Sequence, residues 1–262
     1  MSNLYCKVET IDHILLVTID RPKVLNALTF AAHAELAAVF DNFEKNSELW
    51  VAILTASGDR AFCVGKDLKT KAKSGDPKTL PETGAAGLTH RWTLNKPVIA
   101  AIDGLALGGG FEIALACDLI VASESSTFGL PEPKVGLAAY AGGLQRLPKI
   151  IGKARAMEMI LTSRRVTAVE GKEFGFVNYV VRRPYRVIDK AISLANEICE
   201  SSPMSIRASK ESVQKGLSES SLKKAMEAQK HYPAMVEMFA SKDAKEGRLA
   251  FAEKRKPEWK GR

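Results

Sequence analysis

The chain has 262 residues, 46% of them hydrophobic and 26% charged, the balance of an ordinary folded domain with room for a sizeable core. No apolar run approaches the ~20 residues a membrane-spanning helix needs. The net charge of +8 suits either a well-solvated surface or attraction to a polyanionic ligand, and aromatics do not interleave with the basic residues as single-stranded nucleic-acid binding would require.

In chain order, Tyr5–Thr10 and Ile14–Ile19 read as two strands of a hairpin turning at Ile11-Asp12-His13. Thr29 caps an expected helix running to about Asn46, with Phe30, Leu36, Val39, Phe40 and Phe43 at helical spacing. Trp50–Thr55, Val98–Ile102 and Leu119–Ala122 are continuous apolar runs, the pattern of buried strands. Lys69–Thr83 is polar, carries Gly75, Pro77 and Pro81, and reads as a mobile loop. Strands alternating with helices predict an α/β fold. After Pro184 the pattern turns helical, with amphipathic segments at Val187–Cys199, Ser205–Gly216 and Ser221–Phe239. This predicts a core over residues 1–183 and a helical region over 184–262.

Cys6, Cys63, Cys117 and Cys199 are scattered without a CxxC pair, which favours free thiols. His13, His33, His90 and His231 lack ligand spacing, and no metal site is expected. With no basic leader before Leu4-Tyr5-Cys6, a cytoplasmic location is expected.

Three segments could carry chemistry. Leu107-Gly108-Gly109-Gly110-Phe111-Glu112 follows a strand and opens a helix. Its glycines serve either close approach of a ligand or tight helix–strand packing. The unpartnered N–H groups of a helix start favour a developing oxyanion, and the dipole there is expected to keep Glu112 ionised. Phe128-Gly129-Leu130-Pro131-Glu132-Pro133 holds an acid between prolines, with Pro133 expected to force Glu132 into an extended conformation. Ala61-Phe62-Cys63-Val64-Gly65-Lys66-Asp67-Leu68 is either a plain loop or a further source of backbone N–H groups.

Together with Asp20-Arg21-Pro22, Asn26-Ala27-Leu28, Lys96–Ala101 and Gly142–Leu147, these segments closely resemble the crotonase family, the enoyl-CoA hydratases and isomerases, over essentially the whole chain. The resemblance implies a spiral of ββα units with a carboxy-terminal helical trimerisation region, and homotrimers or homohexamers. It implies an acyl-CoA substrate and no separate cofactor, since coenzyme A is part of the substrate; no membrane or nucleic-acid partner is expected. The oxyanion hole would be the N–H groups of Val64 and Gly109, and Glu112 and Glu132 the catalytic acids of a hydratase. Val64 stands where the family often has a smaller residue; the backbone donor survives that change. Lys23, Lys66, Leu68, Phe251 and Lys254 would bind coenzyme A, the last two often across a subunit boundary. Trp92 and Tyr140 would line the acyl pocket. Dienoyl-CoA isomerases of the family resemble Val135–Ala139 and Leu144–Lys149 but carry an Asp where Tyr140 stands, which argues against isomerisation. Lys230–Pro233 and Leu249–Arg262 look like crotonobetainyl-CoA hydratases (carnitinyl-CoA dehydratases), so such a substrate is an alternative, as are an isomerase and a non-catalytic RNA-binding member.

Overall fold

The structure is a computed structural model that describes residues 4–70 and 74–262. It opens with the expected hairpin, β1 (Cys6–Ile11) and β2 (Ile14–Ile19), which pair antiparallel from Cys6 with Ile19 to Ile11 with Ile14. Asp12 takes a positive φ of 49° in the two-residue turn, a conformation that Asp tolerates better than most residues. Helix α1 (Phe30–Lys45) starts at Thr29, whose hydroxyl accepts from the Ala32 N–H.

The remaining core is built from repeated pairs of strands. β3 (Val51–Ala56) is followed by β4 (Ala61–Cys63), β5 (Val98–Ile102) by β6 (Leu105–Leu107), and β7 (Leu119–Ser123) by β8 (Thr127–Gly129). The first member of each pair joins a six-stranded sheet and the second a four-stranded one. The larger sheet runs β1-β2-β3-β5-β7-β10, closed by β10 (Tyr179–Val181); the smaller runs β4-β6-β8-β9, closed by β9 (Val166–Thr167). The β3–β5–β7 and β4–β6–β8 ladders are parallel. Helix α2 (Gly109–Ala116) follows β6, and α3 (Gly143–Ile151) and α4 (Lys153–Thr162) follow β8; α5 (Ala168–Phe174) leads to β10. This is the expected spiral of strand–strand–helix units.

Burial explains the strand sequences. Leu15, Val17, Ala52, Leu54, Ala100 and Ile102 face a core shared with α1, α2 and the smaller sheet. Ile14, Leu16, Val51, Ile53, Ile99, Ala101 and Val121 face Val187, Ala191, Leu194 and Ala195 of α6 (Val187–Cys199). A sheet covered on both faces needs continuous apolar runs rather than alternation. The first tail helix therefore packs directly on the central sheet.

The tail departs from expectation in two places. Ser221–Phe239 is not one helix. Helix α7 (Pro203–Gly216) is followed by α8 (Leu222–Ala228), a 3-10 turn at Gln229–His231, and α9 (Pro233–Ala240). Pro233 has no N–H and pushes Tyr232 into extended backbone, so the helix must restart there. A further helix, α10 (Lys242–Glu253), follows Ser241, whose hydroxyl accepts from the Ala244 N–H. Of the loop expected at Lys69–Thr83, residues 71–73 lie outside the described residues; the described remainder carries no helix or strand. Among the described residues no helix is long and apolar enough to cross a membrane.

Candidate functional site

The three glycine-rich and acidic segments end adjacent strands of the smaller sheet. Val64 and Gly65 follow β4, Gly108 and Gly109 follow β6, and Pro131 and Glu132 come shortly after β8. All six line one cavity of about 340 Å3, within the range of small-molecule sites.

Helix α2 is fixed from behind. Phe111 packs with Phe128 and Phe176, ring centroids 5.1–5.4 Å apart. Gly110 lets the helix close on β4, because a Cβ there would sit 2.0 Å from the Cys63 carbonyl oxygen. Glu112 is thereby turned to the cavity. Its Oε1 accepts from the Gly143 N–H at 2.8 Å, the first residue of α3, so the carboxylate sits at a second helix start. Burial nevertheless dominates. Glu112 is 3% exposed, and desolvation pushes its pKa from an ordinary 4.5 up to about 7. The Gly143 N–H opposes the rise, and the charge of Glu132 adds to it. The expectation that the dipole of α2 keeps Glu112 ionised is therefore corrected: the cost of burying the charge outweighs it.

Glu132 does not adopt the extended conformation expected before Pro133. It opens a 3-10 turn, Glu132–Val135, where Pro133 is tolerated because the early N–H groups of a helical turn lack partners anyway. Its carboxylate reaches toward α2, since a Cβ on Gly108 would lie 2.7 Å from Oε1. Oε2 is buried without a hydrogen-bond partner among the described residues, and burial raises the pKa. A buried, unpaired acceptor in a cavity is a group awaiting a ligand proton or a water.

The Val64 loop lies against the start of α2. Gly65, at φ 90°, would place a Cβ only 2.9 Å from the Gly109 nitrogen. The loop is clamped from below by Leu28, whose N–H donates to the Gly65 carbonyl at 2.8 Å and whose carbonyl accepts from the Asp67 N–H at 2.9 Å. Arg21 pairs with Asp67 at 3.0 Å and donates to the Ala27 carbonyl. Asn26, 1% exposed, accepts from the Arg21 N–H and donates to the Ser57 and Ala61 carbonyls. Arg21, Asn26 and Asp67 thus hold the loop, a role the motif alone did not reveal. Arg146, also not singled out by sequence, donates to the Thr89 carbonyl at 2.8 Å and lies near enough to Glu112 to favour its charged form.

The other expected site residues scatter. Lys66 and Leu68 line the cavity, with the Lys66 ammonium 4.8 Å over the Phe30 ring. Tyr140 lines it too, 77% exposed at its rim. Trp92 is not on the cavity wall. The residue is 69% exposed, and its ring lies against the Arg146 guanidinium, 5.4 Å from the centroid. Lys23 lines a neighbouring cleft with Tyr5, Asp20 and Arg21. Phe251, 87% exposed, and Lys254, at the end of α10, are not among the residues lining the cavity in this chain. Among the described residues no group of three or more His, Cys, Asp or Glu could hold a metal ion.

Fold and site together bring a glycine-rich helix start and two carboxylates to one cavity, the equipment of an acid–base enzyme. Comparison with known proteins agrees. The chain belongs to the enoyl-CoA hydratase/isomerase family, whose model matches residues 9–262. It is 43% identical to a carnitinyl-CoA dehydratase of Proteus mirabilis and 44% identical to one of Escherichia coli K12, each over 255 residues and 95% of both chains. Among solved structures, an enoyl-CoA hydratase of Mycobacterium tuberculosis superposes with a TM-score of 0.90 at 42% identity, covering 98% of this chain and 99% of that one. An enoyl-CoA hydratase of Bacillus anthracis gives 0.87 at 36% identity over 99% and 100%.

Proposed function

We propose that the protein is a hydro-lyase that adds water reversibly across the 2,3 double bond of an enoyl-CoA thioester, with coenzyme A entering only as part of the substrate. The observation that carries this reading is the pairing of Glu112 with Glu132 in one cavity beside the Gly109 N–H. The thioester oxygen binds the N–H groups of Val64 and Gly109 and takes on enolate charge there. Glu112 accepts a proton from water as its oxygen attacks Cβ, and Glu132 delivers a proton to Cα. Dehydration reverses both transfers. Each direction starts with one proton on the pair, and burial, which raises the pKa of both acids, favours keeping it there.

Lys66 and Leu68 at the rim, with Lys23 in the adjoining cleft, contact the coenzyme moiety; Phe251 and Lys254 reach it from a neighbouring subunit of a trimer or a dimer of trimers. The exposure of Phe251 in the single chain supports that arrangement. The protein acts in the cytoplasm on acyl-CoA metabolism. A crotonobetainyl-CoA or carnitinyl-CoA substrate is the second reading, favoured by the names of the relatives at 43–44% identity. The test is hydration of crotonyl-CoA, followed by loss of the conjugated thioester absorbance and by product mass. Wild-type rates in both Glu112→Gln and Glu132→Gln would overturn the assignment; product of unchanged mass would indicate an isomerase.

A further inference from the structure

The cavity has a graded wall. Of its lining, Lys66, Leu68 and Lys134 are exposed, whereas Glu112, Ala85, Ala141 and His33 are buried. A thioester whose charged coenzyme lies among the exposed residues directs its acyl chain toward the buried ones. His33 is the one buried polar side chain among the described lining residues outside the carboxylate pair.

The hydrogen bonding of His33 fixes what it offers. It sits one turn into α1 and is 5% exposed. Its Nδ1 accepts from the backbone N–H of Ala86 at 2.9 Å. A backbone N–H can only donate, so Nδ1 carries no proton and the neutral ring carries it on Nε2. Burial and the nearby Lys66 charge push the His33 pKa down to about 4, so the ring stays neutral across the physiological range. Nε2 has no hydrogen-bond partner among the described residues. Nε2 is not sealed off from solvent, so its N–H is open to a group entering the cavity.

The geometry points to His33 as a specificity residue: its Nε2–H is a hydrogen-bond donor for an oxygen on the acyl chain beyond the double bond, and the preferred substrates are 2-enoyl-CoA esters with an oxygen-bearing tail. This rests on the hydratase reading and narrows it. The donor would be met by a hydroxyl, carbonyl or carboxylate oxygen, and a methyl group in the same place would leave it unpaired. A trimethylammonium tail offers it no acceptor.

The test compares kcat/KM for trans-5-hydroxy-2-pentenoyl-CoA with that for its methyl isostere, trans-2-hexenoyl-CoA, with crotonyl-CoA as reference. Wild type is expected to favour the hydroxyl ester by about tenfold or more, the worth of one buried hydrogen bond. His33→Asn places an amide oxygen where Nδ1 stood, so it keeps the bond from Ala86 and removes the inner donor; the preference should fall to one or below. His33→Gln, which reaches the Nε2 position but loses the brace, should keep part of the preference and melt at a lower temperature than His33→Asn. A wild-type ratio of one or less overturns the proposal, as does an unchanged ratio in His33→Asn. Equal losses on both esters also overturn it, because they would place His33 on the coenzyme or in a purely structural role. If His33→Asn does not fold, the wild-type ratio decides. Turnover of crotonyl-CoA with no tail preference would sink this inference alone, whereas absence of hydration on every ester would remove the hydratase reading with it.

Discussion

Replacing Glu112 with Gln should make the protein more stable and nearly inactive at the same pH. The side chain keeps its length, and its Oε1 can still accept from the Gly143 N–H. What disappears is the cost of a charge held in a dry place. A pKa raised from 4.5 to about 7 means the folded state binds the proton more tightly than the unfolded chain. The penalty from this group is therefore absent below pH 4.5, grows as the pH rises toward 7, and is borne in full above it. The penalty is about 3 kcal/mol at ~1.4 kcal/mol per pH unit. At pH 8 the variant should gain close to that, a rise in Tm of about 6 °C or more for a chain of this size. At pH 4.5 the gain should nearly vanish. Matched thermal scans and denaturant titrations at the two pH values read the difference, and kcat should fall by about 10²–10⁴. A variant less stable than wild type at pH 8, or one whose gain is the same at both pH values, would refute the argument that burial sets this group's protonation.

Glu132→Gln should lower kcat by a similar ~10²–10⁴ with little loss of stability, since the buried Oε2 has no partner among the described residues to forfeit. Gly65→Ala should cost about 10²–10³ in kcat by crowding the Gly109 N–H, and about 1–2 kcal/mol of stability from the positive φ, measured by kinetics and denaturation together. Asn26→Ala should destabilise by about 2–3 kcal/mol, because it leaves the Ala61 and Ser57 carbonyls unpaired in denaturant titrations. The plot of kcat/KM against pH should fall above about pH 7 as the carboxylate pair loses its shared proton. The same limb should appear in hydration and dehydration, because the overall equilibrium consumes no proton; a rate that climbs steadily from pH 6.5 to 8.5 would contradict the one-proton state.

The acids and the glycine-rich turns were legible because their signal is local. A helix start, a proline on each side of an acid and a positive-φ glycine are all short-range features; the strand runs between them give the α/β class, and the spiral came from the family resemblance. The supports were not legible, because each reaches far along the chain. Asn26 bonds to Ala61, 35 residues away; His33 bonds to Ala86 at 53; Arg146 bonds to Thr89 at 57. No window of sequence shows such partners. Helix α10 escaped because its surface is largely charged and its cap at Ser241 was overlooked. Trp92, expected as an aromatic wall of the acyl pocket, lies instead against Arg146, 54 positions on. The protonation of Glu112 was misjudged for the same reason: a helix dipole can be read from position, but dryness depends on what folds over it.

The smaller sheet acts as a ruler. Its strands β4, β6 and β8 are neighbours, so the groups at their ends are spaced by the inter-strand distance of roughly 4.8 Å. Each coil of the chain thus brings one stretch of cavity wall at a preset pitch, and a residue at one strand end can be exchanged while the spacing of the others stays as it was.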